Sequence, residues 1–393
     1  MIEGRAAVPA EGTRFGALDG WRGICALLVV CFHAPVTGFA EHSPFVRNAF
    51  LFVDFFFVLS GFVIAHAFFD RLKETKAAGR FLLSRLFRVY PLHLFMLALY
   101  VAVECAIFVA KGPGEAFHGG TSIEALVVNL LMLQSLGLLD TLTWNYPSWS
   151  ISAELVAYAC FALVVVTVPR LMLPLCGLVV LLALPVIAAV KGHMDVSSDL
   201  GWLRCLVGFA IGVLLRRAVW HEPERAKAKR YPASWTLTEI AAVLLVFVFV
   251  SELGGTVLTV AAPLVFGLAL YVFAHEGGAI SRALTSRPIA FLGTISYSIY
   301  MTHAFVIDRF HNAASVAGRL VGRNMFVEAA FDRELIATPG WMGSLLLVAM
   351  IAATIFFSAV TYRFVETPGM ALGRRFMAKR QSAAAADRTV AAA

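Results

Sequence analysis

Ten stretches of this chain are apolar for long enough, or nearly so, to cross a lipid bilayer: 17–40, 50–69, 89–110, 153–168, 171–190, 202–215, 237–251, 257–274, 291–307 and 342–362. A helix needs about 20 apolar residues to traverse the hydrocarbon core, so the shorter runs borrow from their flanks. In lipid every backbone polar group must be satisfied within the segment, which leaves an all-α, polytopic bundle as the expected fold class. The rest of the composition agrees: 60% of residues are hydrophobic, 15% are charged and the mean hydropathy is +0.80. Those values exclude a soluble globular enzyme, a disordered chain and a nucleic-acid binder. The formal charge of +7 is therefore a record of which loops stay in the cytoplasm.

An eleventh apolar stretch, 123–139, decides the parity of the whole chain. If it does not cross and the N-terminus is cytoplasmic, the loops with Arg71, Lys73, Lys76 and Arg80, and with Arg216, Arg217, Arg225, Lys227, Lys229 and Arg230, lie inside. So do Arg170, Arg282, Arg287 and the tail cations, which places 24 of the 32 basic residues inside and 8 outside. A crossing at 123–139 would invert every later loop and export the second basic cluster, against the positive-inside bias. The expectation is ten spans with both termini cytoplasmic and 123–139 re-entrant or lying along the outer face. In domain terms, 1–16 is a cytoplasmic N-terminal segment, 17–370 a single transmembrane domain, and 371–393 a basic, Ala-rich, disordered tail. A connector at 308–340 is long and external in this topology, and so a candidate for function.

Six cysteines sit inside apolar runs without a CxxC pair, which reads as small buried hydrophobes and suggests no metal site. A P-loop, a GxGxxG after a strand, an HExxH and a GxSxG elbow are all missing from the sequence.

Ionisable residues inside spans are costly, and each is a functional candidate. The first run holds Asp19, Arg22 and His33. Eleven residues at 100° each return His33 to within about 20° of the Arg22 face, with about 16 Å of rise between them. Asp19, three residues before Arg22, shares that face. The plainer alternative is an interfacial Asp–Arg anchor and a satisfied core histidine. An imidazole deep in a membrane and aligned with a cation favours chemistry, and its ordinary pKa near 6.5 suits a general base. In the second run Asp54 reads as a structural or orienting partner, and Ser60-Gly61 as the site of a close helix crossing.

Arg85 and Arg88 share one helical face where the third run begins, beside a Pro91 that would set the start of the helix. Paired guanidiniums suit phosphate, although anchoring by positive charge is the commoner reason for such a pair. Trp149, Ser150 and Glu154 open the fourth run with Tyr158 one turn on, either as a helix start favoured by the dipole or as the lining of a pocket. Arg204 needs a partner near the outer end of its run, and Glu154 is the expectation. Ser296, Tyr300 and His303 fall on one face, with His303 in a supporting role. Glu366 closes the last run near the depth of Arg22, Arg85 and Arg88.

Taken in order, LDGWRG with His33 after it, FVDFFFVLSGF, the Arg85/Arg88 pair with Pro91, WSISAE with Tyr158, ISYSIYMTH and Glu366-Thr367-Pro368 resemble the acyltransferase-3 family of integral-membrane acyltransferases. The likeness covers about residues 15–370. Trp21 stands where the family more usually has Leu. The resemblance implies transfer of an acyl group, usually acetyl, from cytoplasmic acyl-CoA to a hydroxyl of a glycan or other acceptor at or across the membrane. It implies that His33 is the catalytic histidine and that Arg22, Arg85 and Arg88 hold the donor. Glu366 matches a further catalytic-site carboxylate. The donor co-substrate is then acyl-CoA (acetyl-CoA) without a metal, and the surroundings are the lipid bilayer of a bacterial inner membrane. No fused hydrolase-like domain of the kind some members carry is present, so the chain is expected to act alone or with a separate partner protein. Two other classes stay open at this point: a proton-coupled exporter, and a non-catalytic acyl-delivery subunit. His33 as general base and His33 as transient acyl carrier are equally compatible with the sequence.

Overall fold

The structure is a computed structural model and describes residues 14–391 apart from 229 and 330–332. Most of the expected N-terminal segment, Lys229 and the last two residues lie outside the described residues. Ten helices follow the ten apolar runs: α1 (Gly16–His33), α2 (Phe52–Phe68), α3 (Thr75–Lys111), a short α4 (Ile123–Leu130) outside the set of ten, α5 (Trp149–Thr167), α6 (Met172–Lys191), α7 (Gly201–Leu214), α8 (Pro232–Leu253), α9 (Ala262–Phe273), α10 (Arg287–Val321) and α11 (Gly340–Thr361). Among the described residues eight helices are long and apolar enough to cross a membrane. Two of the apolar runs form shorter helices: α7, which continues as a π-helical turn over Leu215–Val219, and the apolar segment Val257–Phe273 that contains α9. The chain is thus an all-α, multi-pass membrane protein.

Several local expectations change. Pro91 does not start a helix: it lies inside the 37-residue α3, and its ring packs against Gly369. A membrane helix tolerates such a proline because neighbouring helices cover the carbonyl it leaves unbonded. The 308–340 connector is largely not a loop, since α10 runs on to Val321 and a hairpin follows, β1 (Phe326–Ala329) paired antiparallel with β2 (Arg333–Ile336) in the register Phe326↔Ile336. The tail expected to be disordered is helical as α12 (Thr367–Ala391), consistent with the high helix propensity of Ala, and Phe376 packs on Phe87 of α3. Of the cysteines, Cys25, Cys176 and Cys205 are buried, whereas Cys105 and Cys160 are exposed on the outside of the bundle.

Segment 123–139 does not cross. Its eight-residue helix is about 12 Å long, too short to span. The segment returns to where it started: the Trp144 amide and indole N–H donate to the Gly120 and Ser122 carbonyls at 2.9 and 3.1 Å. Between those points the chain dips inward as far as His93 of α3, whose Nε2 donates to the Asn129 carbonyl at 2.9 Å. Ser135 bonds Ser152 at 2.9 Å, and Ser152 donates to the Met132 carbonyl at 2.6 Å. The segment folds back on itself, and its irregular backbone is tolerated because protein hydroxyls and amides satisfy it.

Parity follows from side-chain contacts as well. Arg217, past α7, pairs with Asp70, past α2, at 3.2 Å. Arg225 donates to the Arg14 carbonyl at 3.2 Å and pairs with Glu276 at 2.5 Å. The start of α1 and the ends of α2, α7 and α9 therefore share one face of the bundle, as an even number of crossings between them requires.

Close crossings hold the bundle together. A Cβ on Gly23 would lie 2.7 Å from the Gly293 amide, so α1 and α10 touch backbone to backbone. Gly61 of α2 and Gly212 of α7 do the same, the crossing expected at Ser60-Gly61. Gly61→Val should therefore lower the thermal midpoint in detergent by an overpacking cost of about 1–3 kcal/mol or more. Gly79→Ala in α3, where a Cβ meets no atom within 4 Å, should be neutral or stabilising by up to about 1 kcal/mol.

Candidate active site

The sequence places Asp19, Arg22 and His33 on one face of α1, and the structure turns that face onto α10. Arg22 Nη1 meets Asp19 Oδ1 at 3.1 Å and its Nη2 donates to Ser296 Oγ at 3.0 Å. Asp19 also receives Arg14 Nε at 2.7 Å. At the other end of the same contact, His33 Nδ1 lies 3.2 Å from His303 Nε2. Ser296 and His303 are seven residues apart on α10, about 10 Å of rise, so one helix pair carries both clusters.

Arg88 joins the first cluster through Glu366: Arg88 Nη1 and Glu366 Oε1 are 2.8 Å apart, and Ser298 Oγ donates to Glu366 Oε2 at 2.8 Å. The carboxylate is buried while the guanidinium is partly exposed. Glu366, at the end of the π-helical turn Tyr362–Glu366, thus sits with the arginines, at the depth the sequence suggests. Its geometry is that of a group orienting Arg88. The Arg85 guanidinium lies 5.2 Å over the Phe68 ring, and its Nε is buried without a hydrogen-bond partner.

Arg22, Arg85 and Arg88 line a cavity of about 180 Å³ whose walls also carry Ser60, Glu154, Tyr158, Ser150 and Tyr300. Ser60 donates to Glu154 Oε1 in a very short hydrogen bond and lies 3.0 Å from the Tyr158 hydroxyl. Ser150 donates to the Tyr300 hydroxyl at 2.9 Å, and the Tyr300 ring stands 5.8 Å from that of His303. The cavity therefore begins at cations, runs past hydroxyls and one carboxylate, and stops one aromatic ring short of the histidine pair. Trp21 lines a separate apolar cavity of about 90 Å³ with Phe45, Phe52 and Phe273.

Arg204 does not pair with Glu154. Its Nη2 and Nε reach Asp54 Oδ2 and Oδ1 at 2.7 and 3.0 Å, and its remaining donors go to the Phe50 and Val196 carbonyls at 3.1 and 3.2 Å. Trp149 lies against that guanidinium, 5.7 Å from ring centroid to Cζ, rather than in the cavity lining. Asp54 and Arg204 face each other across the α2–α7 crossing, whereas Glu154 on α5 is held by Ser60. Among the described residues no group of three or more His, Cys, Asp or Glu could hold a metal ion.

Sequence reasoning missed three residues. Tyr146 lies with its ring 5.0 Å from His33, Ser298 holds Glu366, and Tyr297 lines the cavity while donating to the Val89 carbonyl at 2.6 Å. Tyr297 and Ser298 flank the Ser296 that was singled out. Tyr146 precedes the WSISAE string in an irregular stretch with no periodicity to mark it.

The family model of this acyltransferase domain matches residues 15–363. The chain belongs to the acyltransferase-3 family. This membrane acyltransferase is 27% identical to the acyltransferase MdmB of Streptomyces mycarofaciens over 94% of its own length and 95% of that protein's. It is 40% identical to protein 2 in the picA locus of Rhizobium radiobacter over 38% of its length and 81% of that protein's. A Komagataeibacter xylinus protein named as a candidate membrane-bound transacylase, BcsY, is 26% identical over 73% of this chain and 71% of its own. No solved structure matches.

The Asp54–Arg204 pair makes a distinct forecast. Arg204→Met should destabilise the protein by about 3–5 kcal/mol because it strands a buried carboxylate, whereas Asp54→Leu with Arg204→Met should recover most of that loss. Thermal unfolding of the single and double variants in detergent measures the difference.

Proposed function

We propose that this acyltransferase takes its acyl group from a cytoplasmic acyl-CoA, with acetyl-CoA the default donor, and places it on a hydroxyl of a glycan or other acceptor at or across a bacterial inner membrane. The observation that carries the reading is the cavity of about 180 Å³ with Arg22, Arg85 and Arg88 at one end and Tyr300, beside the histidine pair, at the other. Guanidiniums offer planar bidentate donors that match phosphate oxygens, so the CoA phosphates dock on these three residues. Glu366 keeps Arg88 aimed without cancelling the cluster, which holds three cations. The pantetheine arm then runs past Ser60, Glu154 and Tyr158, whose hydroxyl and carboxylate oxygens suit its amides. The thioester reaches His33 once the Ser150–Tyr300 bond opens.

At His33 the acceptor hydroxyl gives its proton to the imidazole as its oxygen attacks the thioester carbonyl. The C–S bond breaks, the ester C–O bond forms and the proton passes on to the thiolate. In the other route the imidazole nitrogen attacks the thioester carbonyl first, the C–S bond breaks and the CoA thiolate takes the proton the ring gives up; the hydroxyl then displaces the acyl group and returns a proton to the imidazole, which suits transfer across the membrane. Both routes need water kept out, and the packed helices do that. Segment 123–150 and the outer part of 308–340 are the acceptor-side surfaces, with a separate partner protein a further candidate there. Both termini are cytoplasmic in this reading.

CoA release from acetyl-CoA by the protein in nanodiscs tests the assignment. Wild type should release CoA and His33→Ala should not. Arg85→Ala should raise the half-saturating donor concentration by about 10–100-fold with little change in maximal rate, the signature of lost uniform binding worth about 1.5–3 kcal/mol. No binding of acetyl-CoA by the wild type would overturn the reading and bring the exporter forward.

A further inference from the structure

Backbone carbonyls and the contact between the two rings together set the protonation of both histidines. His33 Nδ1 lies 2.9 Å from the Val29 carbonyl oxygen, and His303 Nδ1 lies 2.6 Å from the Tyr300 carbonyl oxygen. A carbonyl only accepts, so in each ring the Nδ1 carries the proton. His303 Nε2 is then a lone pair, and it receives the His33 Nδ1–H across 3.2 Å. The His33 lone pair is left on Nε2. A second proton on His303 would set two N–H groups against each other at that distance, with His303 fully buried. Aromatic contacts restrict the His33 ring further, with Phe32 edge-on at 4.6 Å and Tyr146 at 5.0 Å.

We propose that His303 is a positioning residue which holds His33 as its Nδ1–H tautomer, so that Nε2 is the nitrogen that takes a proton or an acyl group. The proposal rests on the acyltransfer reading for what His33 does with that nitrogen. In a Ser-His-Asp arrangement a carboxylate receives the Nδ1–H, fixes the tautomer and steadies the imidazolium. Here a neutral imidazole, itself locked by the backbone of its own helix, fills that place. A neutral acceptor suits the depth of the site, because a permanent carboxylate there would be costly. The Val29 carbonyl is a shared acceptor, since in an α-helix it also takes the amide of residue i+4, and His303 Nε2 is the second acceptor of the same ring N–H. Both transfer routes need the same nitrogen, so the assignment holds for either.

The test uses the full-length protein in nanodiscs with 15N-labelled histidine, the His33 signals being assigned by their loss in His33→Gln. The wild type should show His33 as the Nδ1–H tautomer. His303→Gln, whose side-chain oxygen can accept the same bond, should keep that tautomer and release CoA from acetyl-CoA within about tenfold of wild type. His303→Met fills the space without an equivalent acceptor. It should mix the tautomers and lower the maximal rate about 100-fold or more, with the half-saturating donor concentration unchanged, in line with the loss seen when a triad histidine is left in the wrong tautomer. An Nε2–H tautomer in the wild type would overturn the proposal, and so would a His303→Met protein with wild-type tautomer and rate. Should His303→Met fail to fold, the wild-type tautomer and the His303→Gln rate decide the matter. A wild type that holds the Nδ1–H form yet never turns over acetyl-CoA would sink the acyltransfer reading and leave the positioning role standing.

Discussion

The crossing of α1 on α10 is the contact on which the site depends. Gly23 and Gly293 let the two backbones touch, and every polar group on the shared face is placed by that approach. At one end the contact delivers Arg22 to Ser296, and at the other it delivers His33 to His303. A side chain larger than hydrogen at either glycine would separate the helices and both clusters would come apart together. The arginine cluster and the histidine pair are thus two ends of a single packing event, with the cavity running alongside it.

Charges inside the bundle divide by how completely their partners satisfy them. Arg204 spends its donors on Asp54 and two carbonyls, is almost fully buried and faces no cavity, so its task is to hold α7 against α2. Arg88 is different: it is partly exposed, meets Glu366 and the Met370 sulfur through Nη1 alone, and lines the cavity with Arg22 and Arg85. Both pairs are an arginine with a carboxylate at under 3 Å, yet the first is closed and the second leaves donors directed at a space a ligand can enter. The first pair is buried among protein acceptors, and the second stands beside a cavity.

The folded-back segment shows how irregular backbone can lie at membrane depth. Gly120, Ser122 and Trp144 close its neck, while His93, Ser148 and Ser152 supply partners to its tip. Because the neck is closed, the segment adds no crossing and the basic ends of α2, α7 and α9 stay together. It also brings Asn145 and Tyr146 to the histidine pair, Asn145 by donating to the Met301 carbonyl at 3.0 Å. The same feature that sets parity therefore also walls one side of the reactive centre.

Hydropathy and helical periodicity, both local properties, were enough to read the apolar helices, the all-α membrane fold and the shared face of Asp19, Arg22 and His33 from the sequence. The ordered motifs were enough for the family. Local rules also misled: the proline rule placed a helix start at Pro91 and the loop rule made 308–340 a connector, because neither can see the neighbours that cover Pro91 or extend α10. Partner choice lay beyond them altogether. Asp54 and Arg204 are separated by 150 residues, Ser298 and Glu366 by 68, and His33 and His303 by 270. Which of several buried groups a guanidinium or carboxylate meets depends on helix crossings that glycines permit and on the depth each helix adopts. Only the tertiary structure could send Arg204 to Asp54 instead of Glu154, choose Arg88 among the three arginines for Glu366, and bring Tyr146 to the histidine pair, since in a dry bundle each ionic group takes the partner that packing brings within reach.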